Sequence, residues 1–329
     1  MTRDMPDSRL NEAEHGLQHS FRKSRIFNGL LMVSAVLAAY LPIRALPDRR
    51  LLPDRMIVLN FQPVSLPAAD SHLRLAGAWV MTANDRRFGG LSALAIDANR
   101  FLSVSDLGAV LRFDPPSSAH PEVDISDLVD GPGPGGRKTS RDAESLVRDP
   151  RGRGWWVGYE QRHSLWLYDE GIRRARAAIA IRRPDWWRNR GIEGLIADGD
   201  GLLAIAENGR EAIRVDSRAN RDLALASDWD IADAARAPDG SGWLLLRSKG
   251  REGIRQAIAP LIRAGQGYRI GETVALPKAA FDNYEGMAIR PKPDGGWRFW
   301  LVTDDGHRFR ARTLLVALDL NRTKKNARR

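Results

Sequence analysis

Five short segments of this 329-residue chain repeat one pattern, and that repetition constrains the fold more than any other feature. They are Leu91-Ser92-Ala93-Leu94, Ala143-Glu144-Ser145-Leu146, Ile192-Glu193-Gly194-Leu195, Ala232-Asp233-Ala234-Ala235 and Tyr284-Glu285-Gly286-Met287. Each leads into a turn rich in Asp, Asn, Gly or Pro and then into an apolar run: FLSVSD, WWVGYE, LLAIAE, WLLLRS and FWLVTD. The runs end at Asp106, Glu160, Glu207, Ser248 beside Arg247, and Asp304. Most copies continue into a further strand such as VLRFD, LWLYD, AIRVD or LLVALDL. The second column of the motif recurs at 92, 144, 193, 233 and 285. Repeats of about 40–50 residues, each holding three or four short strands, are the mark of propeller blades. A solenoid of that period needs a helix or regular short coils in each repeat, and neither is visible here.

The expected fold is therefore all-β, a single β-propeller over residues 56–320. Met56 to Val64 and Leu73 to Thr82 supply strands ahead of the first repeat. Together with C-terminal strands such as Leu314 to Leu320 they predict a further blade. Six blades are thus expected rather than five, with both termini closing the ring. One N-terminal hydrophobic helix precedes the propeller. Ile26 to Leu41 is uncharged and apolar and follows Arg22, Lys23 and Arg25, the layout of an export signal. It is shorter than the roughly 20 residues of a full span, and no small-x-small cleavage site follows it. The chain then divides into an n-region tail (1–25), a signal anchor or signal peptide (26–43), a linker (44–55), the propeller and a basic tail (321–329). The alternative for the apolar run is a buried core helix. An uncleaved anchor places the propeller on the periplasmic side of the inner membrane, and cleavage releases it into the periplasm.

The net charge of +10 (51 Lys and Arg against 41 Asp and Glu) invites a nucleic-acid reading. No basic helix, aromatic-plus-basic motif or zinc spacing supports it, and anionic small molecules or lipid are the expected partners of a monomer. The absence of cysteine excludes a disulfide scaffold, a thiolate nucleophile and a Cys-ligated metal. The stretch DGPGPGGRKTS at 130–140 lacks the adjacent Gly-Lys and following helix of a phosphate-binding loop, and reads as a surface loop between blades.

In a blade, the first and second strands form an antiparallel hairpin. The start of one and the end of the other therefore lie at the same mouth of the central channel. This brings Ser92 and Asp106, Glu144 and Glu160, Glu193 and Glu207, and Glu285 and Asp304 together. Carboxylates so crowded repel one another by several kcal/mol unless compensated. Ca²⁺, with six to eight oxygen ligands, is one compensation. Arg and Lys side chains are the other. The expected metal ligands are Asp106, Glu144, Glu160, Glu193, Glu207, Glu285 and Asp304. Glu144, Glu193, Glu207 and Glu285 are the expected catalytic carboxylates of a metal-assisted phosphoester hydrolase, and Arg87, Arg247, Lys249 and Arg308 the expected substrate-binding cations. The plainer reading makes the glutamates brackets that accept backbone N–H groups from the neighbouring blade. A serine hydrolase built on Ser92 with His163 or His307 is disfavoured, because Leu94 stands where the nucleophile elbow needs glycine.

The series GGLSALAID with FLSVSD, DAESLVRD with WWVGYE, RGIEGLIAD with LLAIAEN, and NYEGMAIRP with LVTDD resembles the phytase-like family, called esterase-like activity of phytase. The resemblance covers about Phe88 to Leu320. It implies a β-propeller, often behind an export signal, and a hydrolase acting on phosphate or other esters. Glu144, Glu193 and Glu285 match the family's recurring acidic positions, with Glu207 and Asp106 at the companion positions. The sequence departs from the pattern at Ser92 and in the fourth repeat, where Asp233 and Arg247 stand. Those departures leave a non-catalytic ligand- or protein-binding propeller as the other expectation.

Overall fold

The structure is a computed structural model that describes residues 50–320, apart from 68, 69, 71, 118–121, 182–189, 217–219, 252, 278–282 and 308–310. The first strands are β1 (Arg55–Pro63) and β2 (Leu73–Ala83). The first blade holds β3 (Leu91–Asp97), β4 (Arg100–Ser105), β5 (Ala109–Phe113) and β6 (Glu122–Asp127). A single helical turn, α1 (Lys138–Arg141), leads to the second, with β7 (Ala143–Arg148), β8 (Trp155–Tyr159), β9 (Ser164–Tyr168) and β10 (Ala175–Ala180). The third holds β11 (Ile192–Asp198), β12 (Gly201–Ala206), β13 (Glu211–Val215) and β14 (Asn220–Ala226). The fourth holds β15 (Asp230–Arg236), β16 (Gly242–Gly250), β17 (Gly253–Ala264) and β18 (Gly267–Ile270), with β19 (Val274–Ala275) alongside β17. The fifth is β20 (Asn283–Pro291), β21 (Trp297–Asp304), β22 (Leu314–Leu320) and, from the other end of the chain, β2.

The described residues thus form five blades, not the six expected. An N-terminal and a C-terminal strand do meet, but within one blade: β2 pairs with β22 from Leu73↔Leu320 to Val80↔Leu314. β1 starts no blade either; it pairs with β2 on one side and β6 on the other. The sequence locates strands, but an N-terminal strand can found a sheet or complete one. Here the open edge of β22 supplies the unpaired N–H and C=O groups that β2 satisfies.

Five apolar clusters fill the interfaces between adjacent blades, and they explain why the second strands are apolar throughout. Along β21, Phe299 and Leu301 pack toward blade 4, while Trp300 and Val302 pack toward blade 1. Along β12, Leu203 and Ile205 face blade 4, and Leu202 and Ala204 face blade 2. A strand sandwiched between two blades buries both faces, so alternation is lost and a continuous apolar run remains. Each large side chain so buried contributes about 1.5–3 kcal/mol.

The five innermost strands share one irregularity. Pairing with the second strand skips a residue at Ser92, Glu144, Glu193, Ala232 and Glu285. A bulge leaves its extra residue out of the ladder and re-aims the side chain. This corrects the motif alignment in blade 4, where the bulged residue is Ala232 rather than Asp233. No helix among the described residues is long and apolar enough to cross a membrane. The apolar segment 26–43 lies outside the described residues.

Candidate acidic mouth

Three positions per blade point at the mouth where the innermost strands begin, the upper mouth. One is the residue before the innermost strand's first regular pair, the second is the bulge, and the third ends the second strand. Backbone hydrogen bonds fix the first against the third: Asp106 N–H to Gly90 O, Glu160 N–H to Asp142 O and Glu207 N–H to Gly191 O. The three positions read Gly90, Ser92 and Asp106 in blade 1; Asp142, Glu144 and Glu160 in blade 2; and Gly191, Glu193 and Glu207 in blade 3. In blade 4 they are Asp230, Ala232 and Arg247, because Ile231 pairs with Leu246. Blade 5 supplies Asn283, Glu285 and Asp304. Blade 2 thus brings three carboxylates, blades 3 and 5 two each and blade 1 one, and in blade 4 the strand-end acid is replaced by a cation.

Carboxylate oxygens of Asp142, Glu144 and Glu160 approach within 4.8 Å of one another, as do those of Glu160, Glu193 and Glu207. Glu160 belongs to both groups. Gly191 permits this, since a Cβ there would stand 2.6 Å from Glu160 Cα. Three cations flank the groups, the exposed Arg190 only at 4.0 Å from Glu207. Lys138 donates to Asp106 Oδ2 at 2.9 Å and to Asp142 Oδ1 at 2.7 Å. Arg247 donates to Glu207 Oε1 at 2.9 Å and to Glu285. Among the described residues, no Lys or Arg is paired with Glu144, Glu160 or Glu193.

The electrostatics follow. Burial, then Asp142, pushes the Glu160 carboxyl up to about 9. Burial raises Glu193 well above the carboxylate range, reinforced by Glu160, Glu285 and Glu207. Glu144 rises likewise through burial, Asp142 and Glu193. Asp304 reaches about 7 through burial, Asp106 and Glu285. Burial opposes the charge on Lys138, yet Asp142, Asp106 and Glu144 hold its pKa above the ordinary lysine value.

A family model described as phytase-like, esterase-like activity of phytase, matches residues 86–307, more than half of the chain. The chain belongs to the phytase-like family. No curated protein matches its sequence. Among solved structures, Myxococcus xanthus glutaminyl cyclase is 12% identical, with 76% of this chain and 97% of that one covered, at a TM-score of 0.50. That likeness supports the fold alone. The auxiliary nutrient binding protein of Bacteroides thetaiotaomicron is 11% identical over 81% of this chain and 77% of that one, with a TM-score of 0.40. Hydrazine synthase of Kuenenia stuttgartiensis is 16% identical at a TM-score of 0.37; the match covers 65% of this chain and 56% of that one.

In the phytase-like propeller the seven expected carboxylates divide. Glu144, Glu160, Glu193 and Glu207 enter the two close groups. Asp106, Glu285 and Asp304 line the same mouth outside them, each with its own partner. Asp106 has Lys138, Glu285 has Arg247 and Asn283, and Asp304 accepts the Gly306 N–H at 2.6 Å. Of the expected substrate-binding cations, Arg247 and Lys249 lie at or beside the mouth, Lys249 exposed at the end of β16 and near enough to act on Glu285. Arg308 lies outside the described residues. Arg87 does not face the mouth. It is 1% exposed, donates from Nε and Nη2 to Asp85 at 3.1 and 2.9 Å, and reaches Pro53 O at 3.2 Å, so it clamps the entry into blade 1. The expected bracket role falls to Asp233, whose Oδ2 accepts the Met287 N–H of the next blade at 2.6 Å.

Two residues at the site escape the motif. Asp142 stands one position ahead of it, and Lys138 lies in the glycine-rich loop read as plain surface. The loop does connect blades, but α1 turns Lys138 inward while Arg141, 2% exposed, donates to the Leu128 and Val129 carbonyls. The run Lys138 to Glu144, with a cation four residues before Asp142, was the available signal.

Proposed function

We propose that the upper mouth holds Ca²⁺ between blades 2 and 3 and that the propeller hydrolyses phosphoesters there. The observation that carries this reading is the pair of three-carboxylate groups meeting at Glu160, with Asp142 and Glu193 buried and the others half-buried, mutually repelling and flanked rather than filled by cations. An oxygen-only donor set suits a hard cation. Asp142, Glu144 and Glu160 would hold it in one position; Glu160, Glu193 and Glu207 would hold it in the other. When bound, the cation supplies positive charge that polarises the ester and lowers the pKa of water.

The remaining chemistry falls to the chain's own groups. Arg247 pairs with Glu207 and Glu285 and presents a cationic edge at blade 4, where Ala232 leaves room. Lys249, exposed on the rim, is free to meet phosphate oxygens. The net charge of +10 draws anionic esters toward the protein. The apolar segment 26–43 would carry the propeller across the inner membrane and, uncleaved, hold it on the periplasmic side.

Turnover of a panel of phosphomonoesters by the purified protein, in Ca²⁺ and in chelator, tests the reading. Ca²⁺-dependent release of phosphate is expected, with bound metal in the isolated protein. Equal background rates in both conditions would remove it. A second reading, a propeller that binds a ligand without chemistry, is favoured by the saturation of Arg247 with two carboxylates. Ligand-dependent stabilisation without turnover would select it.

A further inference from the structure

Two buried atoms on the blade 1 side of the mouth, Asp106 Oδ1 and His307 Nε2, have no hydrogen-bond partner among the described residues. They face each other at 3.7 Å, too far for a direct hydrogen bond. Neither is placed to close the gap. Asp106 is 5% exposed, and its other oxygen is held by Lys138. His307 has φ 51°, a left-handed conformation uncommon outside glycine, and Asp305 fixes it there. Asp305 Oδ1 accepts the His307 N–H at 2.9 Å and the Gly90 N–H at 3.0 Å, while Thr313 Oγ1 donates to Oδ2 at 2.8 Å. Beneath the gap lies Gly90, with φ 59°. A Cβ there would collide with Asp106 Oδ1 and stand 2.9 Å from His307 Nε2. Backbone held in a sparsely populated region at a mouth is a reason to look for function.

The chemistry of the gap narrows what fits. One side is a carboxylate oxygen, which only accepts; the other is an imidazole nitrogen, which donates when protonated. A group that both donates and accepts, a hydroxyl or water, satisfies both at once. A phosphate oxygen would be repelled by Asp106.

We propose that Asp106 and His307 clamp the alcohol oxygen of the ester and that His307 is the general acid that protonates it as it leaves. This rests on the hydrolase reading above. The bond from phosphorus to the alcohol oxygen breaks, the Nε2 proton passes to that oxygen, water adds to phosphorus, and the proton water releases returns to the imidazole. Asp106 is a positioning residue that accepts the new O–H. The charged groups around the imidazole are Asp106, Asp304 and Asp305, with Lys138 behind Asp106. Asp106, followed by Asp305 and Asp304, favours the protonated imidazole against the opposing effect of burial.

The test compares p-nitrophenyl phosphate, whose leaving group needs no proton, with glycerol 2-phosphate, whose leaving group does. In Ca²⁺, His307→Gln should lower turnover of glycerol 2-phosphate on the order of 10²-fold or more, the scale of general acid catalysis. The loss on p-nitrophenyl phosphate should be about tenfold or less, and the alkaline limb of kcat/KM should disappear. Asp106→Asn should move that limb to lower pH, and it decides the matter where His307→Gln fails to fold. Equal losses on the two substrates, or an unmoved alkaline limb in Asp106→Asn, overturn the role of His307 while leaving the hydrolase reading standing. An intact protein inert on both substrates removes the hydrolase reading and this role together.

Discussion

The two ends of the innermost strands use the same residue types to opposite effect. At the lower rim, where these strands end, carboxylates are matched by arginines of the same blade or the next. Asp97 has Arg112 at 3.5 Å and Arg148 of blade 2 at 3.7 Å, and Asp198 has Arg214 and, at 3.8 Å, Arg236 of blade 4. Asp149 accepts from Arg153 at 2.9 Å and from Trp156 Nε1 at 2.7 Å. Against the opposing effect of burial, those two donors hold its carboxyl down at about 2. At the upper mouth, the acids of blades 2 and 3 outnumber the flanking cations, and burial with mutual repulsion drives the pKa values of Glu144, Glu160 and Glu193 up. Charge at the lower rim is balanced inside the fold. At the upper mouth the balance needs protons or a ligand, which is the electrostatic difference between architecture and a site.

The largest expected effect is at the lower rim. Asp149→Ala leaves the buried Trp156 N–H without an acceptor and should cost up to about 3 kcal/mol of unfolding free energy, read from denaturant midpoints. A loss below about 1 kcal/mol would mean that the lower rim is not structural. At the upper mouth, Glu160→Gln removes the carboxylate common to both groups. Ca²⁺ at a hundred times its dissociation constant should stabilise the unmodified protein by about 2.7 kcal/mol and this variant hardly at all. In chelator the variant should be as stable as the parent or more so, because repulsion falls; a loss in chelator would make Glu160 a bracket.

The pH dependence sharpens the same contrast, since the two ends carry opposite signs. Asp149 is depressed in the folded state, so its contribution is present above the unfolded value near 3.8 and is lost as pH falls through about 2. Glu160 is raised, so the folded state binds the extra proton between about 4.5 and 9 and stability falls as pH rises through that window. Melting curves in chelator should therefore peak at mildly acidic pH, and Ca²⁺ should shift the optimum toward neutrality. A chelator profile flat from pH 5 to 9 contradicts the upper half of the comparison. The smallest effect is expected at Arg148, whose side chain is 48% exposed and shared between Asp97 and Glu170. Arg148→Ala should change stability by about 1 kcal/mol or less in urea titrations, and less still at high salt.

The sequence by itself determined the strands, the repeat and the acidic character of one mouth. Strands buried on both faces read as unbroken apolar runs, and the turns between them carry Asp, Asn, Gly and Pro, so spacing alone placed Glu144 with Glu160 and Glu193 with Glu207. Only the tertiary structure decided the count and the partners. Edge pairing of β2 with β22 closed the ring at five blades, because hydrogen bonding along an edge leaves no mark in the strand's own residues. The bulge, a property of pairing rather than of letters, moved the blade 4 position from Asp233 to Ala232 and aligned Arg247 with the strand-end acids. Arg247 meets Glu285 across 38 residues of sequence, and His307 meets Asp106 from the far end of the chain. Arg87 shows the converse: its local partner Asp85 holds it in the wall, away from the mouth its charge suggested. Charge type is written in the sequence, but compensation depends on distance and burial, which only the packed blades set.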